Sequence, residues 1–254
     1  MAKVFIGVGH GGKDPGAVAN NFKEKDLNLD VADAVFDTLE RHGVYAMLSR
    51  IGDESDTLAD RVKECNEYSP DLAVDIHHNA GGGDGAEVFY HYKGGVSKTL
   101  AENLLSEIVK IGQNSRGAKI KKGSDGRDYY GFIRETKAPA VIVECAFLDN
   151  KSDVQIVDTL PERQAMGKAI AKGILKTLGI AYYEKEAVKE QPSIEAPVES
   201  NKTPADGVSS NSQGIGGGKV ESENTGIESE KGTLLDKLLE FLELLISFLK
   251  GRKT

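Results

Sequence analysis

The sequence predicts an α/β fold, a twisted and mostly parallel sheet of about six strands with helices on both faces. Over residues 1–180, short apolar segments rich in valine and isoleucine alternate with longer segments whose apolar residues recur every three or four positions. Glycine-rich turns separate several of these segments. We therefore expect one compact domain over residues 1–180, with ligands bound where its parallel strands end.

The first third of the domain predicts two strands and two helices. The segment VFIGVGHGG, residues 4–12, predicts a buried strand that ends in a glycine-rich turn containing His10. A helix with one apolar face follows and ends near Gly43, and residues 44–50 form the second strand. A second helix covers residues 56–68. Its expected inward residues are Leu58, Val62 and Cys65.

The middle of the domain places two histidines at the end of a strand. Residues 72–76 predict the third strand, and His77 and His78 follow it directly. A GGGDG turn leads to a further strand, AEVFYHY, and a helix runs from about residue 97 to 111. Residues 113–128 are polar, basic and without periodicity, so we expect a loop over the sheet edge.

The last elements of the domain are two strands and a helix. YYGFIR and AVIVECAF are the predicted strands, and the second is apolar enough to lie inside the sheet. The final helix has Pro161 near its start and ends at Gly179.

Two further segments follow the domain. Residues 181–231 are rich in Glu, Ser, Gly, Pro and Asn, so they predict a flexible acidic linker. Residues 232–254 predict an amphipathic helix. Its apolar run, about 16 residues long, is short for a membrane span. We expect residues 234–250 to bury their apolar face by self-association, by contact with a membrane surface or by docking on the first domain.

Composition excludes several classes of protein. The 254 residues carry a formal net charge of -8, without the basic excess expected of a nucleic-acid-binding protein. The start, MAKVFIGVGHGG, lacks the apolar run and cleavage site of a signal peptide, so we expect synthesis in the cytoplasm. The two cysteines, Cys65 and Cys145, are expected to be buried thiols and not a disulfide.

Four side chains that can bind a metal or move a proton lie at predicted strand ends or in the turns beside them: His10, Glu24, His77 and Glu144. Two imidazoles and a carboxylate are a usual ligand set for catalytic Zn²⁺, and a second carboxylate can act as general base. Glu144 follows four apolar residues, where a carboxylate without a partner is unfavourable. Taken alone, His10 could instead bond to its own backbone, and Glu24 could be a solvated loop residue.

The segments that contain these residues resemble, in order and spacing, the signature segments of the zinc-dependent N-acetylmuramoyl-L-alanine amidases of family 3. The four segments are GHGGKDPGA, KEKDLN, DIHHNA and PAVIVECAFLDN. The resemblance covers nearly all of residues 1–180. It implies that His10, Glu24 and His77 bind Zn²⁺ and that Glu144 is the catalytic carboxylate. It also implies the substrate, the amide between muramic acid and the first L-alanine of the peptidoglycan stem.

The resemblance leaves other polar residues without an implied role. Adjacent strand residues point to opposite faces, so we expect His78 to be a surface or substrate-side group. Arg61 and Asn79 are expected to hold loops in place. Arg116 and the loop 119–128 either contact the substrate or form a solvated basic surface.

Other functions fit the same residues less well. A zinc peptidase acting on wall stem peptides needs the same metal chemistry. A wall-binding module with a structural zinc would need four protein ligands, and three are evident. A nucleotide-binding loop at GVGHGG is excluded because the glycines do not form GxGxxG and no P-loop lysine is present.

The resemblance also bears on where the protein acts. Without an export signal, it predicts a phage or prophage endolysin released by a holin, or an autolysin exported by another route. Either protein acts on the cell wall.

Overall fold

The computed structural model describes residues 1–184. The predicted domain over residues 1–180 lies inside this range. Of the predicted linker over residues 181–231, residues 185–231 lie outside the described residues, and so does the predicted helix over residues 232–254. Among residues 1–184 no helix has both the length and the apolar character that crossing a bilayer requires. Self-association or membrane contact of residues 234–250 stays a prediction.

Six strands form one twisted sheet, which confirms the predicted fold class. Its order is β4-β1-β5-β8-β6-β7, and a separate two-stranded hairpin is made by β2 and β3. Neighbours pair in parallel except β8 and β6, which are antiparallel. The strands are β1 (Lys3–Val8), β2 (Val18–Ala19), β3 (Phe22–Lys23), β4 (Tyr45–Leu48), β5 (Leu72–Asn79), β6 (Ala86–Tyr90), β7 (Ser115–Lys119) and β8 (Ala140–Phe147).

Three long helices cover one face of the sheet and enclose the larger core. This core joins alternate strand residues, such as Val4 and Ile6, to apolar helix residues such as Val31, Leu104 and Ile170. The helices are α1 (Glu24–Arg41), α2 (Leu58–Tyr68), α3 (Val96–Ile108), α4 (Gly131–Glu135), α5 (Lys151–Val154) and α6 (Leu160–Leu178), of which α1, α3 and α6 form this layer. As predicted, α6 ends at Gly179, whose φ of 72° suits glycine.

The opposite face has a smaller core, formed with α2 and α4. The residues of this core that lie on strands are Phe5, Ala73, Phe89, Ala140 and Ile142. Farther along β5 and β8, toward their carboxyl ends, the residues of the same face become polar. This face is therefore apolar where helices cover it and carries charged groups beyond them.

Two segments of the domain differ from prediction. YYGFIR was expected to be a strand, but residues 131–135 form α4, which buries the adjacent Phe132 and Ile133. A short aromatic run does not distinguish one helical turn from a strand by its periodicity. The expected loop over residues 113–128 contains β7, which lies at the edge of the sheet and, among residues 1–184, pairs with β6 alone. Its sequence SRGAK has no apolar alternation, so its pairing depends on the backbone.

The inward face of α2 also differs from prediction. Cys65 is buried as expected, but Leu58 is 48% exposed. Arg61 is buried in its place because two buried carboxylates, those of Asp56 and Asp75, receive its guanidinium at 2.9 and 3.1 Å. Cys145 is buried on β8, so the prediction of two free buried thiols is confirmed.

Candidate active site

Three of the four predicted site residues meet at one point. One ligand atom each from His10, Glu24 and His77 lie within 4.8 Å of one another. Glu24 lies between the two imidazoles: its Oε2 is 3.1 Å from Nε2 of His10, and its Oε1 is 2.9 Å from Nδ1 of His77. The fold therefore brings together three groups that are far apart in the sequence.

The turn after β1 determines the position of His10. His10 has a φ of 64°, a left-handed conformation that is rare outside glycine. The buried guanidinium of Arg50 donates to the carbonyls of Val8, Gly9 and Lys25. These bonds tie the turn to the start of α1, which stabilises the strained conformation of His10.

Two glycines leave the space that the three side chains occupy. A Cβ atom built on Gly9 would lie 2.4 Å from Cε1 of His77. A Cβ atom on Gly16 would lie 2.5 Å from Oε2 of Glu24 and 2.6 Å from Cδ2 of His10. The glycines of the first signature segment are thus required sterically by the site.

Glu24 is the first residue of α1 and is 4% exposed, so it is not a solvated loop residue. Its carboxylate accepts hydrogen bonds from the backbone N–H groups of Ala17 and His78 at 2.9 and 3.1 Å. Burial disfavours its charge, but the hydrogen bonds and charges of His10 and His77 outweigh burial. The pKa of Glu24 is therefore held well below its usual range, and the group is an anion.

Each imidazole has a second carboxylate on its outer nitrogen. Asp14 lies 2.8 Å from Nδ1 of His10, and Asp75 lies 3.3 Å from Nε2 of His77. Such carboxylates orient a metal-binding histidine and fix its tautomer. Arg61 in turn contacts Asp75, so it acts on His77 through that carboxylate.

The electrostatics of the site favour a bound cation. Burial alone would lower the pKa of His77, but Asp75 and Glu24 reverse this effect and raise its pKa to about 10. Burial also opposes protonation of His10, yet the hydrogen bond and charge of Glu24 raise the pKa of His10 as well. The carboxylates around the two imidazoles therefore favour positive charge where the atoms of His10, Glu24 and His77 meet.

His78 has a different place from the one predicted. It was expected to be a surface or substrate-side group, but it is 2% exposed, and its Nδ1 lies 2.7 Å from Oδ1 of Asn28. Burial lowers its pKa to about 4. Because strand residues alternate, His78 faces the layer of α1 while His77 faces the site. The helix that covers this face explains the error.

Glu144 lies next to the three-residue group. On neighbouring strands it is directly opposite His77. Its Oε2 atom is buried and has no hydrogen-bond partner among residues 1–184. Burial raises the pKa of Glu144 to about 7, although the charge of His77 opposes the shift. The group can therefore exchange a proton near neutral pH.

His77, Glu144 and Glu87 lie directly opposite one another on the neighbouring strands β5, β8 and β6. Glu87, on β6, is directly opposite Glu144 and contacts both Arg116 and Lys119. Asn79 donates to the Glu87 carboxylate at 3.0 Å. Arg116, for which the sequence left two roles open, thus lies on the cleft side of the sheet.

Sequence reasoning gave no role to Asp14, Asp75 or Glu87. Asp75 and Glu87 both interrupt apolar strand segments, LAVDI and AEVFY, and a charge in a buried strand is a signal that could have identified them. Asp14 lies in an exposed loop, and its sequence context carries no comparable signal.

A cavity of about 500 Å³ opens beside the site. His10 and His77 line one part of it, and Leu58, Tyr130 and Ile142 line another. The cavity therefore offers both charged and apolar surface next to the possible metal ligands.

This chain is similar in sequence and fold to N-acetylmuramoyl-L-alanine amidases. The family model of N-acetylmuramoyl-L-alanine amidases matches residues 4–176. The sporulation-specific N-acetylmuramoyl-L-alanine amidase of Bacillus subtilis (strain 168) is 34% identical over 178 residues, which are 68% of this chain and 67% of that protein. The endolysin of Bacillus phage SPP1 is 32% identical over 209 residues, 79% of this chain and 73% of that protein. A solved structure, the N-acetylmuramoyl-L-alanine amidase AmiC2 of Nostoc punctiforme, has a TM-score of 0.63 and 30% identity, covering 70% of this chain and 97% of that one.

Proposed function

This chain belongs to the family of N-acetylmuramoyl-L-alanine amidases, which are hydrolases, and we propose that it cleaves peptidoglycan with a Zn²⁺ ion held by His10, Glu24 and His77. The bond cleaved joins N-acetylmuramic acid to L-alanine. The observation that supports this proposal is the convergence of the three ligand atoms within 4.8 Å, directly beside the buried carboxyl of Glu144.

The residues fit a catalytic zinc site. Two imidazoles and one carboxylate are the ligand set of several catalytic zinc sites. Both imidazoles have the outer carboxylates that such sites use, from Asp14 and Asp75. When bound, Zn²⁺ supplies Lewis acidity toward the scissile carbonyl oxygen and water.

The chain's own residues supply the proton transfer. Oε2 of Glu144 accepts a proton from the attacking water as the water oxygen bonds to the carbonyl carbon. The same oxygen then donates this proton to the nitrogen of L-alanine as the carbon–nitrogen bond breaks. One water is consumed, and the products are a muramoyl carboxylic acid and a peptide with a free amino terminus. A raised pKa suits both steps, because the group must take and release one proton at neutral pH.

A zinc peptidase that acts on stem peptides is the second candidate, since the metal chemistry does not select the amide bond. Family membership favours the amidase. Glu144 disfavours a wall-binding module with a structural zinc. Its Oε2 atom is buried without a hydrogen-bond partner, which is unfavourable and which a purely structural site would not explain.

We also propose that the protein acts on the cell wall after leaving the cytoplasm, as an endolysin or an autolysin. The relative from phage SPP1 is an endolysin, and other relatives are bacterial amidases.

Digestion of purified peptidoglycan tests the reaction. We expect mass spectrometry to find free stem peptides that begin with L-alanine; shortened stems would instead indicate a peptidase. Metal analysis of the purified protein should give one zinc per chain, and chelation followed by added Zn²⁺ should remove and restore activity. The absence of both zinc and metal-dependent activity would contradict the proposal.

The variant Glu144→Gln tests the proton transfer. Removal of a general acid–base group lowers turnover by about 10²–10⁴-fold. We expect this loss with zinc content unchanged, because Glu144 is not in the ligand set. Glu67→Gln, an exposed substitution on α2, is the matched control and should keep full activity. Unchanged turnover of Glu144→Gln would remove this residue from the mechanism.

A further inference from the structure

A cationic surface lies next to Glu144. In the register of the sheet Glu144 is opposite Glu87 on β6, and Glu87 is opposite Gly117 on β7. Arg116 and Lys119, also on β7, both reach back to the Glu87 carboxylate. We call Arg116 and Lys119 the cation pair. The pair is thus separated from Glu144 by one side chain only.

A β-bulge sets the direction of Arg116. Ala86 pairs with Ser115 but Glu87 pairs with Gly117, so Arg116 is an extra residue on β7. Gly117 has a φ of 90°, which glycine adopts without strain. Bulges redirect side chains and occur often beside active sites. A Cβ atom on Gly117 would meet no atom within 4 Å, so the surface here is open.

Glu87 fixes the cation pair but does not neutralise it. The Glu87 side chain is 7% exposed, and its Oε2 accepts hydrogen bonds from Nε of Arg116 at 2.9 Å and from Nζ of Lys119. These two cations outweigh burial and hold the pKa of Glu87 below its usual range, so it is ionised. One negative charge against two positive charges leaves an excess of one. The side chains of Arg116 and Lys119 are 37% and 35% exposed, so this excess faces solvent.

The Arg116 guanidinium is oriented to receive an anion. Its Nε is used by Glu87, and its Cζ atom lies 4.9 Å from the centre of the Phe147 ring. Its two Nη groups have no hydrogen-bond partner among residues 1–184. A guanidinium whose plane is fixed and whose Nη groups are free is suited to a carboxylate, which accepts two parallel hydrogen bonds.

The other side of the site has a different character. None of the residues that line the 500 Å³ cavity comes from β6 or β7. The cavity thus combines apolar surface from Leu58 and Tyr130 with charged groups of both signs, whereas the surface at β7 carries the excess positive charge of the cation pair. The excess positive charge at β7 therefore favours binding of the anionic end of a substrate there.

We propose that the cation pair binds a carboxylate of the leaving peptide, so that the peptide lies over β6 and β7 and the muramoyl side faces the cavity. This inference rests on the proposed amidase function. Glu87 is one strand spacing from Glu144 and β7 is two, so an anion held by the cation pair lies about 5–10 Å from Glu144. An extended peptide advances about 3.4 Å per residue. The carboxylate therefore belongs to the second or third residue of the peptide.

A set of three matched substrates tests this inference. The substrates are N-acetylmuramoyl tripeptides that begin with L-alanine and carry carboxylates on the second and third residues, together with versions in which each carboxylate is replaced by a carboxamide. For the unchanged enzyme we expect one carboxamide to lower kcat/KM about tenfold, as for loss of a hydrogen bond between charged groups. Equal kcat/KM for all versions would overturn the proposal while leaving the amidase function intact.

Variants of Arg116 test whether the preference for the carboxylate substrate depends on the cation pair. Arg116→Gln should lower kcat/KM about tenfold for the substrate with both carboxylates. It should lower kcat/KM much less for the carboxamide substrate that the unchanged enzyme already cleaves poorly. Arg116→Lys keeps the charge, so its kcat/KM for the carboxylate substrate should lie between those of the unchanged enzyme and Arg116→Gln. Lys98→Gln, an exposed position on α3 at the other face of the sheet, is the control and should leave both values unchanged. An equal loss on both substrates would show that Arg116 only neutralises Glu87. If no substrate is hydrolysed even by the unchanged enzyme, the proposed function fails instead.

Discussion

The substitution Gly9→Ala tests whether the packing of the turn fixes the position of His77, one of the three proposed zinc ligands. The new Cβ atom would lie 2.4 Å from Cε1 of His77 and 2.6 Å from both ring nitrogens, whereas ordinary contact begins at 3.4 Å. Gly9 does not have a positive φ, so the backbone itself accepts alanine without strain. The imidazole must therefore move by about 1 Å, or the turn must move away from β5 by a similar distance.

A displacement of this size is larger than a zinc site tolerates, because metal–ligand distances vary by only about 0.2 Å. We expect zinc affinity to fall at least as much as when a partner of a ligand is lost, about 10–100-fold. Crowding should also lower the free energy of unfolding by about 1–3 kcal/mol. Turnover with saturating zinc should fall about 100-fold, since misplacement by 1 Å has effects of that order.

Competition with a chromophoric chelator measures the zinc Kd, and denaturant titration measures the unfolding free energy. Gly123→Ala is the control, since its nearest neighbour would be the movable carboxylate of Asp125 at 3.1 Å. A Gly9→Ala protein with the same Kd and turnover as the unchanged protein would refute the link between this glycine and the ligand geometry.

Three further predictions concern the second carboxyl, the outer partner of His77 and the domain boundary. Because burial raises the pKa of Glu144 to about 7 and a base must be ionised, kcat/KM should fall as pH drops, with an acid limb above pH 4.5 and no higher than about 7; a limb at 4.5 would contradict this. Asp75→Asn should weaken zinc binding about 10–100-fold and, since it leaves Arg61 buried with one carboxylate fewer, lower the unfolding free energy; a zinc titration and thermal unfolding check both effects. A chain ending at Glu184 keeps the contact of Tyr183 with Arg41 and should fold and hydrolyse peptidoglycan, which circular dichroism and product analysis would show; an unfolded protein would place the boundary later.

The sequence predicts the fold class well because the strands and long helices of the large core have clear periodicity. The nearly continuous apolar run of AVIVECAF is typical of a strand inside a sheet, and β8 is indeed an interior strand. Prediction failed where packing decides between alternatives. YYGFIR forms α4 because its two adjacent apolar residues are both buried against β8 and α2, which no local pattern encodes.

The candidate site was predicted unevenly for a related reason. His10, Glu24 and His77 were identified through the order of their segments, while the charged surroundings of Glu24 alone suggested a solvated group. Its burial follows from its position as the first residue of α1, between two imidazoles and two backbone N–H donors. The contacts with His77 and His78 join segments more than 50 residues apart, so the convergence is not visible in any one segment.

The two faces of β5 and β8 explain why the site lies where it does. Because three long helices cover one face completely, polar residues there must pair internally, as His78 does with Asn28. On the other face α2 and α4 pack on strand residues such as Phe5 and Ile142, and farther along the strands His77 lines the cavity with Glu144 opposite it. Gly131 and Phe132 of the short α4, which the sequence did not predict, line the cavity beside the site. This helix therefore contributes both to the smaller core and to the wall of the cleft.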